Sequence, residues 1–325
     1  MLDYDFREIP VLLIGYSRIG NIERMVNELI QLEVKNIYVA IDHSNNSKIY
    51  SQQQELVEKL RIIGINHQST IQVWLRKKNH GVGPGIMTSL DWFFSFNSAG
   101  VILEDDLIFD KHFLQYCAEG IEKYVSEPEI WILSGNRFNS SEGNTDVALT
   151  NYPQIWGWAS WRDRWIEMRE AILVNKALDP RQLGNPTYCY FYVGARRAQA
   201  GFIDTWDLPL AFEMYRQRKI CILPPVNLVS NVGTDIHSVH TTEEGFPLHF
   251  PIAAVEHINF LDVEDLKKSS DEINIFLEEY IFKISKRHIL SVPKYWLSIL
   301  VNRFSENKKK SLAMKLEEAD RFESD

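Results

Sequence analysis

The sequence predicts an α/β protein: a mostly parallel sheet flanked by helices, with a helical extension at the C-terminal end. Three observations predict it. From residue 11 onward, short β-rich runs alternate with segments of helical period. An apolar run ends abruptly in three carboxylates, Glu104, Asp105 and Asp106, as ligand-binding strand ends often do in such sheets. From about residue 256 the pattern becomes helical and then basic, which divides the chain into residues 1–255 and 256–325.

The elements follow in order. "VLLIGY" (11–16) reads as a buried strand, and Ile22, Met25, Val26, Leu29 and Ile30 then recur at helical spacing. "NIYVAID" (36–42) is a second strand, "QQQELVEKLRII" a polar-faced helix, and "IQVWLR" (71–76) a third strand. The loop "KKNHGVGPG" leads into a helix around "IMTSLDWFFSF", then the strand "GVIL" and the acids. Strands alternating with helices imply a sheet covered on both faces. Asp110 suits the N-cap of a helix bearing Phe113, Tyr116, Cys117, Ile121 and Tyr124, which places the acids at a tight strand-to-helix junction. "IWILSG" reads as another strand; the aromatic, Gly-bearing stretch 152–165 precedes a helical segment. In "TWDLPLAFEMYRQR", Pro209 suits a first helical turn, with Asp207 at its start. "ICIL" and "VNLVS" are strand-like, and "NVGTDIHSVHTTEEG" is a polar loop.

Composition narrows the function. With 325 residues, 45% hydrophobic, the chain can bury a full core, and its net charge of −9 offers no basic field for nucleic acid. The three cysteines show no metal-binding spacing and fit a reducing, cytoplasmic setting. No signal peptide or spanning segment is expected.

Three adjacent carboxylates repel one another, and burying them is unfavourable unless a cation or strong donors compensate. A divalent ion supplies that compensation, and oxygen-only ligation suits Mg2+ or Mn2+. Strand alternation would put Glu104 and Asp106 on one side and Asp105 on the other.

"GVILEDDLIFDKHFLQYC" resembles the metal-binding segment of GT-A-fold glycosyltransferases, in particular the branch related to the N-acetylglucosaminyltransferase I family and its bacterial relatives. The resemblance extends through "PVLLIGYSR", "KNHGVGPGIMTSLDWFF", "IWGWASWRDRW" and "TWDLPLAFEMYRQRKICILPPVNLVSNVG", roughly residues 10–245. It implies a GT-A (Rossmann-like) domain that binds a nucleotide-sugar, UDP-sugar by default, through Mn2+ or Mg2+. By position, Asp106 would touch the metal, while Asp105 and Glu104 approach the ribose and donor sugar. His240 is the match for a C-terminal metal ligand, with His237 as its rival. Asp207 would be the base of an inverting reaction, a role that suits a carboxylate kept ionised near a helix N-terminus. Asp42 would contact the base or ribose. Arg18 would face the pyrophosphate, although "SRIG" departs from the Arg-Pro common in relatives. Asn79, Gly81 and Gly83 would bring flexible backbone to the nucleotide, and Trp156, Trp158 and Trp161 would line the sugar or acceptor site.

The expected activity is therefore sugar transfer to a hydroxyl of a glycan or lipid-linked acceptor. The alternatives are a sugar-phosphate nucleotidyltransferase, against which "IGYSRIGNIER" lacks the Gly-rich basic loop usual after the first strand, and a non-catalytic carbohydrate- or nucleotide-binding module. Between Ile281 and Lys310 the chain carries eight Lys or Arg against one acid, Glu306, a local balance of +7. With Tyr295 and Trp296, this stretch suits peripheral contact with the cytoplasmic face of the inner membrane, homodimerisation, or simply a solvated basic helix. Pro293 interrupts any single long helix there.

Overall fold

The computed structural model describes residues 5–139, 143–174, 176–232, 251–253, 255, 257–302 and 310–324. The first half is the predicted series: β1 (Val11–Gly15), α1 (Ile19–Gln31), β2 (Asn36–Ile41), α2 (Ser47–Asn66), β3 (Thr70–Leu75), α3 (Val82–Phe96) and β4 (Ala99–Glu104). Then come β5 (Leu107–Phe109), α4 (Lys111–Lys123), β6 (Ile130–Ser134), β7 (Ala148–Thr150), β8 (Trp158–Trp161), α5 (Arg162–Leu173), α6 (Pro186–Gln199), α7 (Asp207–Gln217), β9 (Ile220–Leu223) and β10 (Val229–Asn231). The extension holds α8 (Val263–Leu266), α9 (Ser270–Phe276), α10 (Ser291–Asn302) and α11 (Leu312–Ser324).

Eight strands form one sheet in the order β3-β2-β1-β4-β8-β6-β9-β7. β8 and β7 run against the other strands, so the sheet is mostly parallel. Alternation along the strands fills both faces. Val11 and Leu13 enter one hydrophobic cluster and Leu12 the other; Val101 and Leu103 divide from Ile102 in the same way. α1 and α4 cover the first face, while α3, α5, α6 and α7 cover the second.

The tight strand-to-helix junction expected after the acids contains an additional short strand. Asp105 and Asp106 form a turn, and β5 then pairs antiparallel with β10 before Asp110 caps α4 by accepting from the His112 N–H at 2.9 Å. Leu107 and Phe109 are buried while Ile108 is exposed, a three-residue alternation too brief to read as a strand by its pattern. β7 and β8 likewise lie where the sequence predicts no strand. In the aromatic, Gly-bearing stretch, Trp158 and Trp161 are core on opposite faces of the sheet.

The extension does not stand apart from the sheet domain. Ile273, Leu277, Ile281, Val292, Tyr295, Leu312 and Leu316 are buried in the cluster that contains Leu12 and Ile102. Polar bonds fix the same packing. The Glu278 carboxylate accepts from the Tyr152 hydroxyl and, at 2.9 Å, from the Thr187 hydroxyl; Asn274 Oδ1 accepts from Thr150 Oγ1 at 2.6 Å. Hydrogen bonds to a charged acceptor contribute about 1.5–3 kcal/mol each. Replacing Glu278 by Ala is therefore expected to lower stability by about 2 kcal/mol or more and to expose the extension to protease before the sheet domain unfolds. Urea denaturation with limited proteolysis measures both, and an unchanged midpoint would show that these bonds do not anchor the extension.

Candidate active site

The site forms where the carboxyl ends of β2, β1 and β4 lie side by side. Ile14 pairs with Glu104, and the Asp42 N–H donates to the Gly15 carbonyl at 3.0 Å. Gln53, wholly buried on α2, joins two of these ends by donating to the carbonyls of Tyr16 at 2.7 Å and Asp42 at 2.8 Å.

Asp105 is held across this junction. Its Oδ2 accepts from the Tyr16 N–H at 3.1 Å, and its Oδ1 from Arg18 Nη1 at 2.8 Å. The same Arg18 nitrogen is 3.4 Å from Asp106 Oδ2. One guanidinium thus touches two of the three acids, which the alternation expected of a continuous strand would have separated. The turn at residues 105–106 ends that alternation. Asn231, at the end of β10, donates its side chain to Asp106, and the Asp106 carbonyl accepts from the Val232 N–H at 2.8 Å.

Burial pushes Glu104 up to about 8, with the charges of Asp106, Asp105 and Asp207 adding to the effect against Arg18. Burial, then Asp105, raises Asp106 to about 6, opposed by Arg18 and Asn231. Asp207 is therefore within electrostatic reach of Glu104, although the two are distant in sequence. It occupies the first position of α7, and its Oδ1 accepts from the Leu208 N–H at 2.8 Å and from the Thr205 hydroxyl. No described residue bonds its Oδ2. Tyr190 of α6 also lies within reach of the Asp207 charge.

The loop before α3 is pinned from two sides. Asp42 accepts from the His80 and Gly81 N–H groups at 3.1 Å and from the His43 N–H at 3.1 Å. Burial raises its pKa, while those amides and Arg76 act against the rise. On the other side, Asp204 Oδ2 accepts from the Val82 N–H at 3.0 Å, and Lys315 of α11 lies 3.2 Å from Asp204 Oδ1. Gly81 has φ +78°, and a Cβ there would stand 2.4 Å from Asp204 Oδ2, so glycine is required on both counts. Asn79 donates to the His43 carbonyl at 2.9 Å.

Of the expected residues, Arg18, Asp105 and Asp106 come together beside Glu104, Asp207 lies within electrostatic reach of Glu104, and Asp42, Asn79 and Gly81 line the neighbouring strand end. Trp158 is placed differently from the sequence expectation. It is 2% exposed, packed in the second cluster with its ring 5.9 Å from that of Trp206, because β8 lies between two neighbours inside the sheet. It supports the start of α7 instead of offering a face to sugar. Trp161 is also buried, whereas Trp156 stays partly exposed against Phe138. His240 and His237 lie outside the described residues. Sequence reasoning missed Tyr190, Asp204, Asn231 and Gln53. Each is an ordinary residue of a helix, loop or strand end, with no motif to mark it.

The chemistry of the acids fits a hard divalent cation: carboxylates whose pKa values are raised by burial and then by mutual repulsion, both of which a positive charge would relieve. Among the described residues, no three His, Cys, Asp or Glu side chains converge as a complete metal cage. A cavity of about 300 Å³ lined by Asp91, Phe94, Ser95, Arg162, Trp165 and Ile166 lies elsewhere, near the amino end of β4.

These strand ends define a Rossmann-like α/β protein with an acidic crevice. No family model matches the chain, and no curated protein matches it. Among solved structures it is similar to one assigned as a glucose-1-phosphate thymidylyltransferase from Bacillus anthracis in complex with a sucrose: 10% identity, 50% of this chain and 74% of that one, TM-score 0.30. It is similar also to UDP-glucose pyrophosphorylase complexed with UDP-glucose, at 12% identity over 66% of this chain and 90% of that one, TM-score 0.35. The apo form of UDP-glucose pyrophosphorylase gives 11%, 69%, 93% and 0.36 in the same order. By name these three are sugar-phosphate nucleotidyltransferases, the alternative of the sequence reading. Likenesses this distant carry no argument about what this chain binds or does.

The acid cluster has a consequence for stability. Because Glu104 and Asp106 hold protons to higher pH when folded, the folded state binds more protons than the unfolded chain between about pH 4 and pH 8. Their contribution is present below the ordinary carboxylate range and is lost as pH rises through the folded values. The melting temperature without divalent ions is expected to fall from pH 5 to pH 8, and more steeply than in Glu104→Gln. Parallel curves for the two proteins would contradict this origin.

Proposed function

We propose that the protein is a metal-dependent, inverting glycosyltransferase that moves a sugar from a nucleotide-sugar, UDP-sugar by default, to a hydroxyl of a glycan or lipid-linked glycan. The observation that carries this reading is that Asp207, fixed at the start of α7, lies within electrostatic reach of Glu104 at the end of β4. A base and a donor-binding cluster then share one crevice.

In this reading the acceptor O–H lies against Asp207 Oδ2. Oδ1 is engaged by the Thr205 hydroxyl and the Leu208 N–H, so the carboxylate is fixed in orientation. As the acceptor oxygen bonds to the anomeric carbon, its proton passes to Asp207, and the bond from that carbon to the diphosphate oxygen breaks. The nucleoside diphosphate leaves with that electron pair. Arg18 holds Asp105 and Asp106 in place and brings positive charge to the crevice. A divalent ion bound at Asp106, with His240 as the expected further ligand, would supply charge neutralisation for the diphosphate. Glu104 and Asp105 would approach the ribose and donor sugar, with Asp42, Asn79 and Gly81 beside the nucleotide.

Sugar-phosphate nucleotidyl transfer is the second reading, and the same assay separates the two. Thermal shift with nucleotide-sugars, with and without Mn2+, is expected to show metal-dependent stabilisation that Asp106→Ala removes. Asp207→Asn should keep that stabilisation and lower sugar transfer by about a hundredfold or more, the scale of a lost general base. Transfer retained in Asp207→Asn would remove the base. Pyrophosphate release from a nucleoside triphosphate and a sugar phosphate would favour the second reading.

A further inference from the structure

The helical extension carries an exposed face that the proposed reaction leaves unused. A 3-10 turn, Lys286–Leu290, runs directly into α10. On its inner side Val292 and Tyr295 are buried, and the Tyr295 hydroxyl donates to the Arg196 carbonyl at 3.4 Å. The outer side is apolar where a solvated helix would be polar: Leu290 is 60% exposed and Leu297 63% exposed, with Pro293 between them at helical spacing. Trp296 stands at the edge, 40% exposed.

Positive charge surrounds this stripe. Lys286, Arg287 and Lys294 are exposed, and among the described residues no carboxylate pairs with any of them. Residues 281–302 contain no Asp or Glu, in a chain whose net charge is −9. The turn that leads into α10 packs on Tyr190. The His288 ring is 5.1 Å from that of Tyr190, and Tyr190 is within reach of the Asp207 charge.

We propose that the face of Leu290, Pro293 and Leu297, flanked by Lys286, Arg287 and Lys294, docks on an anionic phospholipid surface. Leucines and a tryptophan entering the headgroup boundary, with lysines and arginine meeting anionic headgroups, is the pattern of an interfacial helix. The acidic remainder of the protein would be repelled by the same surface, which fixes the orientation. A second copy of the chain fits less well, because a twofold contact would set the basic flanks against each other. Docking of this kind would hold the chain at the surface that carries a membrane-borne acceptor, a consequence that rests on the transfer reading.

The test uses the full chain without nucleotide, sedimented with vesicles of phosphatidylcholine alone or with about one phosphatidylglycerol in three lipids. Binding is expected only to the anionic vesicles and should weaken with salt. Each neutralised basic residue should cost about fivefold in affinity, so Lys286→Gln with Lys294→Gln should lower it about twenty-five-fold. Leu290→Ser with Leu297→Ser should reduce binding to the level of neutral vesicles. All four side chains are exposed, so melting temperature and nucleotide-induced thermal shift should not change. Binding that ignores lipid charge or survives the leucine pair overturns the proposal, as does absence of binding. A dimer in light scattering that the leucine pair dissolves assigns the face to a second copy instead. Vesicle binding by a chain that no nucleotide-sugar stabilises would leave the docking face standing and remove the transfer reading.

Discussion

The crevice depends on Asp105. Its carboxylate is 6% exposed and would be costly to bury between two other acids without strong donors. The Tyr16 amide and Arg18 are those donors, both supplied by the connection between β1 and α1. That connection is in place because β1 and β4 are parallel neighbours whose ends coincide. Sheet register therefore determines whether the acids can exist together, and the acids in turn hold the first connection against the sheet.

A second constraint acts at α3. Helix N-termini are common anion sites because their first amides lack partners. Here Asp42 takes the His80 and Gly81 amides and Asp204 takes that of Val82, so protein carboxylates already fill the position a phosphate would use. Lys315 from α11 meets Asp204, tying the end of the chain to this loop. On the proposed reading, positive charge for a diphosphate comes from the Arg18 side of the crevice, where the acids cluster.

Much of this was legible in the sequence. Apolar alternation located β1 to β4, and the capping signals at Asp110 and Asp207 identified the starts of α4 and α7. The acids stood out because core-like residues flank them. Other features depended on long-range packing. β5 is defined by its partner β10, some 120 residues later, and its three residues carry too little pattern alone. Trp158 suits a sugar site because sugars stack on aromatic rings, whereas antiparallel pairing with β4 and β6 buries it. Tyr190 and Asp204 gain their positions from the docking of α6, α7 and α11, which no local spacing encodes.

The connection between β1 and α1 also bears on the kind of reaction. It is only Tyr16, Ser17 and Arg18, and Arg18 is engaged by two carboxylates. So short a turn has no glycine-rich stretch with successive amides to wrap a triphosphate. It offers one oriented cation beside oxygen ligands, an arrangement better matched to a diphosphate held jointly with a divalent ion. Asp207 completes the contrast. Both of its identified hydrogen bonds fall on Oδ1, and no described residue bonds Oδ2. Nucleotidyl transfer to a sugar phosphate has little use for such a base, since the attacking phosphate oxygen is already ionised near neutral pH. Attack by an alcohol does need one, and on the proposed reading the side of the crevice that holds Asp207 is where an acceptor hydroxyl is best placed.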